Sequence, residues 1–370
     1  MAERRAPDPL SSVPYIQWAK AQVGKARYPL TMSAVPPVDW QDLDFDPREL
    51  ALFEFSDYGD PELRDGIAGE WGWTREHVCL ASSASHAHFC FAASVLEPGD
   101  TVLYESPGYL PLLDSLSLLR VETVPVSRRS EDGFALDLDA VREAVARTGA
   151  KVLLITDLHN PSGVALPDDV GEGLAQLCDE TGLQIIVDEM YRPFLEEDPR
   201  PLCGDHPNIV SIRGLNKVHG LSQIRIGWGL ASPDRVARAQ RILDATTIHN
   251  SCLTDQVGRV AWRVRESLVA RARRIAGDGW DVVRPWLDEG PLEGAPPAGG
   301  LVCFPRLPEG WTGTQLFEAA RARDVLVTPG SFFGDDRHIR LGFGLPPKEL
   351  RAALTLLDEV LSGDSRASLP

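Results

Sequence analysis

The sequence predicts an α/β fold: a mostly parallel sheet covered by helices on both faces, followed by a smaller α/β domain. Three features carry this reading. Val152–Ile155 and Leu183–Val187 are unbroken apolar runs of strand length, the composition of strands buried on both faces. Between them Pro167-Asp168-Asp169 opens a helical pattern with Leu174, Leu177 and Cys178 on one face, and Gly182 closes it. After about residue 235 the texture changes to long helical patterns followed by short apolar runs, which marks a second unit.

Taken in order, residues 1–40 are irregular and proline-bearing, closed by Pro36 and Pro37, and read as an extended arm. Pro61 to Trp71 reads as a helix, with acidic residues in its first turn and Leu63, Ile67 and Ala68 on one face. Val78-Cys79-Leu80 is a short strand, Ala84–Leu96 a helix and Thr101–Tyr104 a strand after the turn Glu97-Pro98-Gly99-Asp100. Ile209–Ile212 and Ile226–Leu230 continue the sheet, and Gly299–Phe304, Val325–Val327 and Ile339–Phe343 supply the strands of the second unit. Three hundred and seventy residues at about 150 per domain fit two domains. The expected division is an arm over 1–45 that packs with the small domain, a large domain over 46–245 and a small domain over 246–370.

Composition narrows the function classes. Hydrophobic residues are 43% and charged residues 25%, ordinary for a folded soluble protein. With 37 Lys and Arg against 54 Asp and Glu, the net charge of −17 disfavours a nucleic-acid or anionic-membrane surface while allowing a local basic pocket. Arg4 and Arg5 are followed by no apolar stretch, and no window approaches a membrane span, so a cytoplasmic location is expected. The six cysteines are scattered without a CxxC pair and are expected to be reduced, buried and inert. His86-Ala87-His88 has alternating spacing but no third ligand in reach, so no metal site is expected, and His86 is read as facing substrate.

In open α/β sheets, ligands bind beyond the carboxyl ends of the strands. Asn160-Pro161-Ser162-Gly163 follows Val152–Ile155, and Asp188-Glu189-Met190-Tyr191 follows Leu183–Val187. Arg213-Gly214-Leu215-Asn216-Lys217 follows Ile209–Ile212, and Arg225 precedes Ile226-Gly227-Trp228-Gly229. An amide, a carboxylate, a phenol, a lysine and an arginine thus meet at one sheet edge. That set suits pyridoxal 5'-phosphate (PLP). A lysine forms the Schiff base, a carboxylate pairs with the protonated pyridine nitrogen, and an arginine holds the phosphate.

The order and spacing of Asn160-Pro161-Ser162-Gly163, Asp188-x-x-Tyr191 and Lys217 with Arg225-x-Gly227-Trp228 resemble the class I/II aminotransferases, PLP enzymes of fold type I. The resemblance runs from Tyr58 to Phe343. It implies a large domain with a seven-stranded sheet in an αβα sandwich. It also implies that Lys217 is the Schiff-base lysine and proton shuttle, Asp188 the pyridinium partner, Asn160 and Tyr191 ligands of the ring oxygen, and Arg225 the phosphate ligand. Ser83, Ala84 and Ser85 resemble the family's phosphate turn, where amides at a helix N-terminus make an anion site without net charge. Tyr109 resembles the aromatic that stacks on the cofactor ring, and Tyr58 the tyrosine that reaches the phosphate of a neighbouring subunit. Arg340 resembles the arginine that holds the substrate carboxylate, with Asn160 and the arm residues Ser33 and Ala34 nearby.

The sequence departs from the family at Gly214, where a Ser or Thr normally binds phosphate, at Asn216 and at His219. The function so implied is an aminotransferase passing an amino group between an amino acid and a 2-oxo acid by a ping-pong cycle. The alternative is a cyclase, lyase or oxidase of the same fold acting on an amino acid. Leu30-Thr31-Met32-Ser33-Ala34-Val35 is similar to the arm of capreomycidine synthase-type enzymes. A ligand-sensing relative would need a DNA-binding module, for which the arm is too short and the charge wrong. A homodimer with shared active sites is expected. The arm's Tyr15, Ile16, Trp18, Tyr28 and Leu30 are expected to be hidden against the neighbour.

Overall fold

The computed structural model describes residues 14–195 and 200–363; the arm before Pro14 lies outside the described residues. Two elements open the chain, helix α1 (Pro14–Gln22) and the short strand β1 (Tyr28–Pro29). The large sheet and its helices follow: α2 (Pro61–Gly69), β2 (Val78–Ala81), α3 (Ala84–Ala93), β3 (Thr101–Ser106), α4 (Pro111–Leu116), β4 (Glu122–Ser127), α5 (Leu138–Thr148) and β5 (Val152–Thr156). Then come α6 (Val170–Thr181), β6 (Gln184–Asp188), β7 (Ile209–Gly214), β8 (Gly227–Leu230) and α7 (Pro233–Thr246). The remainder is α8 (Cys252–Arg263), α9 (Arg265–Glu289), β9 (Val302–Cys303), α10 (Gly313–Arg321), β10 (Val325–Leu326), β11 (Thr328–Pro329), β12 (Ile339–Gly342) and α11 (Pro347–Leu361).

The seven-stranded sheet has the order β2-β8-β7-β6-β5-β3-β4, and β8 alone runs against the others. Because β8 is antiparallel, its beginning lies on the edge where its neighbours end, which brings Arg225 to the same side as Lys217. Side-chain alternation sorts the apolar runs onto two cores. Leu153, Ile155, Ile185 and Val187 face the layer of α2, α5 and α6, whereas Val152, Leu154 and Ile186 face α3 and α7. By the same alternation Asp188 faces α3 and Glu189 the opposite layer. The strand Glu122–Ser127 is absent from the sequence reading. It is a largely exposed edge strand carrying Pro125, which only an edge tolerates, so it lacks an apolar run.

The arm corrects the sequence reading. It is not irregular throughout: Pro14 starts α1, and Tyr15 and Trp18, one turn apart, share a face. Nor do its aromatics need a neighbour to cover them. Trp18 packs on Phe317 and Phe332, and Tyr28 and Leu30 are buried in the core formed by α9–α11. Tyr28 and Pro29 pair in parallel with Val325 and Leu326, and Gly342 donates its amide to Leu30 O at 2.7 Å. The arm then crosses to the large domain, where the Val35 amide donates to Lys217 O at 3.1 Å. Beside it β9, β12 and β11 form a three-stranded antiparallel sheet. Five cysteines are buried, but Cys252 keeps partial solvent access beside Ala51 and Leu52. No helix among the described residues is long and apolar enough to cross a membrane.

Candidate active site

The strand ends deliver the site. Asp188 closes β6, and its Oδ1 accepts from the Met190 amide at 3.0 Å. Its Oδ2 lies 3.2 Å from Nε2 of His88, a buried residue of α3. The sequence reading noticed His88 only as half of an alternating pair. Its actual task follows from strand alternation, which turns Asp188 toward α3. Its pair-mate His86 points elsewhere, to Thr246 Oγ1 at 3.1 Å.

Lys217 is half-buried just beyond β7, and its Nζ donates to Ser33 Oγ at 3.3 Å. Burial holds its ammonium below the ordinary lysine range; Tyr15 and Asp188 oppose that shift and Arg340 adds to it. A lysine so placed holds more of the neutral amine that nucleophilic work requires. Tyr191 donates its hydroxyl to Ser33 O at 3.0 Å, so the arm residue Ser33 joins the lysine to the phenol. Ala34, next in the chain, is buried.

Arg340 lies on β12, fully buried, and reaches the large sheet across the inter-sheet space. Its Nη1 donates to Asn160 Oδ1 at 3.0 Å, and its Nη2 to the Tyr15 hydroxyl at 2.6 Å and to Thr31 O at 3.4 Å. Asn160 is held from behind. Its amide donates to Thr156 Oγ1 at 2.9 Å, and that hydroxyl donates to Glu105 Oε1 at 2.5 Å. Arg128 Nη1 closes the chain on Glu105 Oε2 at 2.7 Å. This fully buried run of donors and acceptors fixes the loop after β5, a buried polar network with its members paired.

Tyr109, after β3, stands edge-on to Tyr15 with ring centroids 5.8 Å apart, and burial raises its phenol pKa. At the other end of the site, Ser83 caps α3 by accepting the His86 amide at 3.1 Å. This leaves the first-turn amides of Ala84 and Ser85 for an outside acceptor. With its amide turned so that Nδ2 donates to Ile226 O at 2.8 Å, Asn216 accepts from Arg225 Nη1 at 3.0 Å. The unusual Asn216 therefore braces the arginine. Tyr58 sits apart, its hydroxyl 3.5 Å from Asp244 Oδ2.

Gly214, the other departure, has a steric cause. A Cβ there would lie 2.8 Å from Ile226 O and 3.1 Å from Gly227 Cα, so β7 and β8 approach too closely for a hydroxyl-bearing residue. Gly227 is packed likewise: a Cβ there would come 2.6 Å from the Ser83 carbonyl carbon. We expect Gly214→Thr to lower the thermal midpoint, at a cost of about 1–3 kcal/mol for overpacking. PLP binding, titrated by absorbance, is not expected to tighten. Tighter binding with an unchanged midpoint would contradict this account.

The residues fit PLP: a desolvated lysine amine, a carboxylate backed by a histidine, helix-start amides with a braced arginine, and an arginine fork for a carboxylate. The sequence reading missed His88 and Tyr15. The spacing His86-x-His88 hinted at the first, and nothing local marks the second.

Comparison with known proteins agrees. The family model for aminotransferase class I and II matches residues 50–357. Capreomycidine synthase of Streptomyces vinaceus is 29% identical over 97% of this chain and 96% of its own. A histidinol-phosphate aminotransferase of Symbiobacterium thermophilum is 29% identical over 78% of each chain. Among solved structures, a PLP-dependent aminotransferase from Streptococcus suis superposes with a TM-score of 0.87 at 24% identity, covering 94% of this chain and 96% of that one. With this sheet, these strand-end residues and a match over most of its length, the chain belongs to the aminotransferase class I and II family and is a PLP-dependent enzyme of fold type I.

Proposed function

We propose that this enzyme is an aminotransferase that moves an amino group between an amino acid and a 2-oxo acid in a ping-pong cycle. One observation carries the reading: the amine of Lys217 lies within electrostatic reach of the carboxylate of Asp188 at the end of β6 and of the guanidinium of Arg340 on β12. PLP supplies an electron sink for the pair released when the substrate Cα–H bond breaks. Lys217 Nζ is the attachment point for the cofactor and carries the proton away from Cα and back. Asp188, held by His88 and the Met190 amide, stabilises positive charge at the ring nitrogen. Arg340 and Asn160 orient the substrate carboxylate, with Ser33 and Ala34 beside them. Tyr109 covers the ring, Tyr191 serves its oxygen, and Ser83, Ala84, Ser85 and Arg225 take the phosphate.

A second reading, a cyclising or eliminating enzyme of the same fold, is favoured by one fact. Capreomycidine synthase matches almost end to end, arm included, where the histidinol-phosphate aminotransferase covers about four-fifths. A screen of amino acids against the holoenzyme separates the two. Release of a 2-oxo acid with the cofactor left in its amino form supports transamination. A converted amino acid with the cofactor unchanged supports the second reading.

The active sites are proposed to be shared in a homodimer, with the arm over 1–45 packing with the small domain over 246–370 beside a large domain over 46–245. Support comes from a surface the arm does not cover. Leu52, Phe53 and Phe55 are exposed next to Tyr58, and Ile248 and Leu253 are exposed near them across the chain from α7 to α8. Such a patch marks an interaction surface. Two impaired variants, Lys217→Ala and Tyr58→Ala, are expected to regain activity when mixed after subunit exchange, because the site that keeps Lys217 then receives an intact Tyr58 from its partner. A fully active monomer in light scattering would end the idea.

A further inference from the structure

Arg340 is engaged by groups of its own chain. Its nearest acceptor is the phenol oxygen of Tyr15, at 2.6 Å from Nη2. The guanidinium also lies 5.6 Å from the Tyr15 ring centroid and 4.9 Å from that of Phe333. Its Nε is buried without a hydrogen-bond partner among the described residues, and the Nη groups carry its polar contacts there. Tyr15 comes from α1, none of whose residues is buried. Its ring touches Tyr109 and Phe332, which places the phenol at the meeting point of the arm, the two sheets and Lys217.

The chemistry of the three groups restricts what the phenol does. A guanidinium only donates, a carboxylate only accepts, and a phenol does either. Toward Arg340 alone, Tyr15 must accept. Toward a carboxylate bound on Arg340, it must donate. We propose that Tyr15 is a specificity-determining residue of the reaction: it holds the place of a carboxylate oxygen on Arg340 in the free enzyme and donates to that carboxylate once substrate arrives. The proposal rests on the reading of Arg340 as the carboxylate site. It assigns the arm a task beyond covering the pocket, namely telling amino acids from amines.

The test is Tyr15→Phe in the holoenzyme. Phenylalanine keeps the ring packed on Trp18, Phe332 and Tyr109, so the arm keeps its contacts. The probes are the common amino acids, each beside its decarboxylated amine, with half-reaction rate and Kd read from cofactor absorbance. A hydrogen bond to a charged group corresponds to about 10- to 100-fold. Kd and KM for the amino acids are therefore expected to rise about 10- to 100-fold with kcat nearly unchanged, and the amines to stay within about twofold. Equal changes for both classes, or no change for either, would overturn the proposal and leave Tyr15 as packing. Arg340→Ala, run alongside, separates the two layers. If it harms amines as much as amino acids, the carboxylate reading of Arg340 fails and the proposal falls with it. If it is selective while Tyr15→Phe is not, the proposal alone fails.

Discussion

Lys217→Ala is expected to abolish turnover, by at least about 10⁴-fold, because one amine serves both as cofactor anchor and as proton carrier. The protein is expected to fold and to bind PLP without a covalent link. Its neighbours show why the loss is specific. Nζ donates to Ser33 Oγ, while the main chain of Lys217 accepts the Val35 amide, a bond that alanine preserves. Borohydride reduction of the parent enzyme followed by peptide mapping checks the assignment. Label on Lys217 supports it, and label on Lys20, Lys25, Lys151 or Lys348 sinks it. Cofactor bound to the variant but released on denaturation would complete the case.

The second large effect is expected at Asp188. Asp188→Asn keeps the shape of the side chain and its bond to the Met190 amide but removes the charge. In a site shielded from water, a fixed charge aimed at a developing one is worth about 10²–10³ in kcat. A fall of that size, with an unchanged thermal midpoint and far-UV circular dichroism, is the expected outcome. Activity near that of the parent would exclude Asp188 as the partner of the ring nitrogen. His88→Phe, which removes the group holding Oδ2, is expected to give a smaller loss in the same direction.

The large domain was legible because its strands are buried on both faces. Val152–Ile155 and Leu183–Val187 cannot be written in polar residues, so they stand out, and the groups beyond their ends follow by position. Lys217, Asp188, Asn160 and Arg225 were found in that way. The edge strand Glu122–Ser127 was not, because its exposed face imposes no apolar run. Helix α1 was missed for a related reason. No residue in it is buried, and what holds it is the contact of Tyr15 and Trp18 with rings more than 290 positions away, a tertiary cause with no local trace. The same distance hid the meeting of Tyr15 and Arg340. The reason for Gly214 lay in the close approach of two strands, which a sequence does not print.

The pairing of Tyr28 with Val325 and of Pro29 with Leu326 sets an order of assembly on the ribosome. The arm is made ahead of the large sheet, yet the strand it docks on is made after that sheet is complete. Most of the large sheet is complete by β8, some hundred residues before β10 emerges. The nascent protein therefore passes through a stage in which Asp188, Lys217 and Arg225 are in place while α1 and Arg340 are still apart. The arm's contacts with Lys217 and Arg340 therefore wait on strands made after the large sheet.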